Sequence, residues 1–125
     1  MKRIIFTGLV LAASMTAVAQ DVMEDGSKVV LPLEAQACNL PSAPPPIPDP
    51  PVKEDLLKAQ KLIKQFQGEM EVYRSCIDKD VASGELSQGN LQAVSNAYDY
   101  SVGMEERVAG MFNESLRAYK ANTAK

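Results

Sequence analysis

A cysteine followed by seven prolines, CNLPSAPPPIPDPP at residues 38–51, decides the architecture of this chain. Proline fixes φ and lacks an amide donor, so the stretch favours an extended polyproline II arm over a helix or a strand. A long helical pattern follows it and passes through Cys76, the only other cysteine. The arm (~43 Å) and the helix up to Cys76 (~36 Å) have similar lengths, so a Cys38–Cys76 disulfide would fold the arm back along the helix. Without that bond, the alternative is a disordered proline-rich linker.

The N-terminus has the pattern of a secretory signal peptide. Lys2 and Arg3 precede an apolar run at residues 4–13 and a small-residue cleavage site at residues 17–19. We therefore expect a periplasmic or secreted protein, in a compartment where disulfides persist. Cleavage would leave 11 basic and 16 acidic residues, a net charge of −5. This acidity argues against nucleic acid as a partner, and no later segment is long and apolar enough to be a membrane span.

The remaining pattern predicts an all-α fold, an antiparallel helical hairpin with the arm docked on its first helix. The expected segments are a signal peptide (1–19), a flexible N-terminal tail (20–37), the proline-rich arm (38–52) and the hairpin (53–125). Asp49 is the expected N-cap of the first helix, which should end near Val81. Its apolar residues alternate at steps of three and four, a coiled-coil-like stripe. They are Leu56, Ala59, Ile63, Phe66, Met70, Tyr73 and Ile77.

The second helix, expected from about Ser87 to Ala121, carries two apolar stripes. One runs from Leu91 to Tyr119 and is predicted to face the first helix. The other is predicted to bind a protein partner or a second copy of the chain, and its site residues are Tyr100, Met104, Val108 and Met111. Methionine side chains adapt to varied partners, which favours a binding surface. Coverage of this stripe by the arm or the tail is the equally weighted alternative.

Glu105 is a charged residue within the stripe that should face the first helix. The expected hairpin places it opposite Lys61 or Lys64, so we predict an ion pair that sets the register of the two helices. A catalytic acid is the remote alternative for this carboxylate.

The chain offers little for catalysis or for metal binding. It contains no histidine, the commonest general base and metal ligand. Asp78-Lys79-Asp80 begins like a calcium loop, but Ala82 and Ser83 occupy the places of a further ligand and the loop glycine. We therefore predict a non-enzymatic protein with no cofactor and no metal.

The export signal, the cysteine, the P-x-x-P-x-I-P type stretch around Pro44–Pro48 and the helix carrying Tyr73-Arg74-Ser75-Cys76 together resemble small exported helical proteins of Gram-negative bacteria. The resemblance covers residues 38–77. It implies a periplasmic location and assigns no activity. The uncovered apolar face of the second helix and the lack of catalytic groups instead give the expected function, which is binding or structural through that face. The alternative is a chaperone-like holdase of the cell envelope that shields apolar segments of unfolded clients.

Overall fold

Two long helices dominate the computed structural model, which describes residues 22–124. The helices are α1 (Leu33–Gln36), α2 (Lys53–Ser83) and α3 (Gln88–Thr123). α3 packs along α2, and the short α1 packs against α2 near its C-terminal end. The described residues contain no strand, only an isolated bridge between Val22 and Lys28. The predicted all-α hairpin is thus confirmed, whereas the predicted signal peptide lies outside the described residues. None of the helices in this range has the length and apolar character to cross a membrane.

α2 buries the stripe that the heptad pattern predicted. Its fully buried side chains are Met70 and Ile77, and Phe66 and Tyr73 are nearly as enclosed. The start of the helix differs from the prediction, because Asp49 is not its N-cap. The N-cap is Val52, whose backbone N–H donates to Asp55 Oδ2 at 3.1 Å. Asp55, an acid in the first turn, thus satisfies the N–H of the N-cap residue itself and lies near the positive end of the helix dipole.

α3 meets α2 along a line that lies between its two predicted stripes. Val94, Ser101 and Val108 recur every seven residues and are all buried. Ser101 has no exposed surface, yet its hydroxyl is satisfied because it donates to the Tyr98 carbonyl at 2.6 Å. A buried polar group with such a partner is tolerated in a helical interface. The seam therefore includes a serine that apolar periodicity does not detect.

The predicted Cys38–Cys76 disulfide is present, with the two Cα atoms 5.8 Å apart. From Cys38 the arm runs back along one flank of α2, in the antiparallel sense. Its beginning lies beside Gly68 and Val72, and its end lies beside Lys58. The half-buried positions of the arm recur every third residue, at Pro41, Pro44 and Ile47. The arm therefore presents one edge to α2.

Residues 22–37 do not form the flexible tail that was predicted, because they dock on the hairpin. The Asp25 carboxylate accepts a hydrogen bond from the Gln88 backbone N–H at 3.2 Å, and the Ser27 hydroxyl accepts one from the Gly89 N–H at 2.8 Å. These contacts satisfy amides that the first turn of α3 leaves without helical partners. Farther along the segment, Ala35 is 2% exposed and belongs to the hydrophobic core.

Candidate binding surface

Arg74 of α2 forms the polar contact that joins the two long helices. Its guanidinium Nη2 donates to Glu105 Oε1 at 3.1 Å. The guanidinium carbon Cζ lies 5.9 Å from the centre of the Tyr98 ring. Nη1 also approaches the Ser101 hydroxyl, at 3.4 Å. The side chains of Arg74 and Glu105 are only 16% and 24% exposed. This partial burial strengthens their interaction relative to a pair in open solvent.

The predicted partners of Glu105 were therefore wrong. Glu105 pairs with Arg74 rather than with Lys61 or Lys64, both of which are exposed on α2. The two lysines lie more than two helical turns before Arg74 along α2. Glu105 therefore lies opposite a part of α2 that is nearer to the hairpin turn than predicted. Arg74 was missed because it lies beside the apolar stripe of α2, and periodicity gives no weight to a charged residue there.

The four predicted partner-binding residues divide into two pairs. Val108 is 7% exposed and belongs to the core, and Met104 packs against that core. The prediction that Val108 binds a partner is wrong, because the seam with α2 passes between the two stripes and buries this residue. Met104 is half-buried, and its predicted contact with a partner stays a prediction. Tyr100 and Met111, in contrast, are 53% and 44% exposed.

Tyr100 and Met111 belong to one continuous exposed side of α3. With 100° per residue, they lie about 80° to 100° around the helix axis from Ser101, and the exposed Arg107 and Glu114 lie slightly farther round. The Arg107 guanidinium sits 5.8 Å from the centre of the Tyr100 ring, a cation–π distance. We call Tyr100, Arg107, Met111 and Glu114 the outer surface of α3. It combines an aromatic ring, a thioether and one charge of each sign.

The docked arm forms a groove with α2 that the sequence did not predict. A groove of about 510 Å³ lies between the start of the arm and α2, and it is lined by Asn39, Pro41, Gln65, Gly68, Glu69 and Val72. Gly68 opens it, because a side chain there would meet no atom within 4 Å. The Gln65 amide donates to Glu69 Oε1 at 3.0 Å, so both polar groups have a partner.

Among the described residues, Tyr73 and Asp25 have a pKa that departs from the ordinary value, and each shift has a local cause. Burial raises the pKa of the Tyr73 hydroxyl, as expected for a ring enclosed in the core. Hydrogen bonds from Ser27 lower the pKa of Asp25, the carboxylate at the start of α3. In residues 22–124, no cluster of three or more cysteine and acidic side chains has the geometry to hold a metal ion.

Comparisons with models of known protein families, with curated proteins and with solved structures found no match to this chain.

Proposed function

We propose that this chain is an exported, non-enzymatic binding protein that acts in the periplasm through the outer surface of α3. The single observation that carries the proposal is the exposure of Tyr100 and Met111 on a helix whose other side packs in the core. Large apolar side chains that are exposed together on one helix are typical of interaction sites. Tyrosine and arginine are also enriched in the central part of protein interfaces.

The disulfide and the N-terminal pattern support the location. A protein with a Cys38–Cys76 bond is suited to an oxidising compartment, and the signal-peptide pattern of residues 1–19 would deliver it there. The role of the bond in binding is indirect. It anchors the arm and α1 on α2, which leaves the outer surface of α3 as the open side of the hairpin.

Site-specific photocrosslinking in the exporting cell tests the proposed surface. A photoreactive residue at position 100 or 111 should give discrete adducts, each of one defined mass. The matched controls are positions 57 and 33, because Leu57 of α2 and Leu33 of α1 are also exposed apolar residues and neither lines the groove beside the arm. Adducts that form equally at all four positions, or none at 100 and 111, would refute the proposal.

A holdase is the second candidate, and the same methionine-bearing surface favours it. Methionine adapts to many apolar shapes, which suits a protein that binds unfolded chains. A holdase would suppress aggregation of a reduced, unfolded client protein in proportion to its concentration. A specific binding protein would saturate at a fixed stoichiometry and leave that aggregation unchanged.

A further inference from the structure

We propose that the outer surface of α3 binds a second copy of this chain, with the two α3 helices antiparallel and Arg107 of each copy against Glu114 of the other. The inference rests on the proposed function and names its partner. It is built on the exposure of the surface, on its charge pattern and on what covers the neighbouring part of the same helix.

The charges of this surface are self-complementary. Arg107 and Glu114 are both exposed and lie seven residues apart, about two turns along the same side of α3. A two-fold axis centred on Arg107 would place the two arginines together, and one centred on Glu114 would place the two glutamates together. An axis halfway between them places each arginine opposite a glutamate, twice by symmetry. An isologous antiparallel pair thus has one register in which opposite charges meet.

The surface around this halfway point allows two helices to pack closely. The point falls between Gly110 and Met111, and a side chain at Gly110 would meet no atom within 4 Å. Because Gly110 carries no side chain, the backbones of two helices can approach closely beside the axis. Arg107 already lies over the Tyr100 ring, which restricts its guanidinium before the second copy arrives. Such preorganisation reduces the entropy lost on binding.

The same side of α3 is already an interface at its N-terminal end. Residues 22–30 cover it there, and the Lys28 carbonyl lies so close to Gly89 that a side chain would not fit. Ala93, one turn farther, is 8% exposed. From Tyr100 onward this side is open. A second copy would continue the covered surface from the point where the N-terminal segment ends.

Charge reversal combined with sedimentation equilibrium tests the register. The full mature chain, with its disulfide intact, is measured from about 1 µM to about 1 mM, a range that detects weak dimers. Arg107→Glu or Glu114→Arg alone should weaken dimerisation about tenfold, because each places two like-charged pairs in the interface. The double variant Arg107→Glu/Glu114→Arg should restore dimerisation to within about threefold of the original chain, because the opposite charges meet again.

Lys64 and Glu71 provide a matched control on α2. They have the same seven-residue spacing and opposite charge, and both are exposed. Lys64→Glu and Glu71→Lys should leave the dimerisation constant unchanged. Circular dichroism of every variant checks that helicity is retained. All four positions are on the surface, so the fold should tolerate each change.

Three results would overturn the proposal: a strict monomer over the whole range, equal weakening by the α2 controls, or a double variant no stronger than the single ones. Failure of the dimer proposal can be told apart from failure of the proposed function. If the purified chain is monomeric while crosslinks from positions 100 and 111 give an adduct of a mass other than twice the chain, the binding surface stands. Only its assignment to a second copy is then wrong.

Discussion

Gly89 is the point of closest approach between the N-terminal segment and α3. A Cβ there would overlap the carbonyl group of Lys28, which is backbone and can move only with its segment. Gly68, on the exposed side of α2, has open space around its Cα. The two glycines therefore have opposite requirements, although the sequence presents both as glycines within helices.

We predict that Gly89→Ala destabilises the protein by about 1–3 kcal/mol, because the N-terminal segment must shift or detach. Gly68→Ala is the matched control and should stabilise it by about 0.5–1 kcal/mol through higher helix propensity. Urea unfolding followed by circular dichroism measures both changes. Stabilisation by Gly89→Ala would show that the N-terminal segment does not dock at this position.

Asp25 should make the stability depend on pH. Hydrogen bonds from the Ser27 side chain and backbone, and from Gln88, lower the pKa of this carboxyl in the folded state. A group whose pKa is lower when folded stabilises the protein above its unfolded pKa, and this contribution disappears as the pH falls through the folded value. We therefore predict that Asp25→Asn is less stable than the original chain at pH 7, and that the difference is lost as the pH falls below the ordinary pKa of an aspartate and through the lower pKa of the folded state.

Thermal unfolding of both proteins from pH 7 to pH 2.5 checks the Asp25 prediction. Glu24→Gln, which removes a carboxylate from the same exposed turn, is the control for general charge effects. A difference for Asp25→Asn that stays constant down to the lowest pH would mean that the ionised carboxylate is not what holds the turn to α3.

We predict that the Arg74–Glu105 pair helps to set the alignment of α2 and α3. We predict a coupling energy of about 1 kcal/mol in a double-mutant cycle with Arg74→Met and Glu105→Gln, because the two side chains form a direct ion pair and are only 16% and 24% exposed. The matched cycle combines Glu105→Gln with Lys64→Met and should give a coupling of about zero. A larger coupling to Lys64 than to Arg74 would restore the register that was expected from the sequence.

The α2 seam was predictable from sequence, and the α3 seam was not, for a physical reason. α2 has one apolar stripe, so only one face can be buried, and Met70 and Ile77 lie at its centre. α3 has two stripes of similar apolar character, so the sequence does not determine which side of α3 faces α2. The seam that forms contains a buried serine and an ion pair, and apolar periodicity predicts neither of them.

The docking of residues 22–37 could not be predicted from the sequence either. Its main contacts join Asp25 and Ser27 to the amides of α3, more than 60 positions away. Turn-forming residues such as Asp25 and Gly26 indicate a turn but not the surface on which the turn lies. In contrast, the arm was predictable, because the cysteine pair and the matched lengths of arm and helix constrain it from both ends.

The disulfide should contribute strongly to global stability. It closes a loop with a sequence separation of 38, for which the chain-entropy relation gives about 3–4 kcal/mol. We predict that Cys38→Ser/Cys76→Ser loses about this amount, measured by urea unfolding, with α2 and α3 still largely helical by circular dichroism. Intact mass before and after alkylation should show no free thiol in protein isolated from the exporting cell. Two alkylated cysteines in that protein would contradict the closed loop.

The bond between Cys38 and Cys76 also turns the arm and most of α2 into a covalent ring, because both lie between the two cysteines. A protease that cuts the backbone once within this ring, for example after Lys53, opens the ring without releasing a fragment. The nicked protein would run as one species on a nonreducing gel and as two after reduction. Proteolysis in the arm would therefore leave the hairpin, and the outer surface of α3, in one covalently connected molecule.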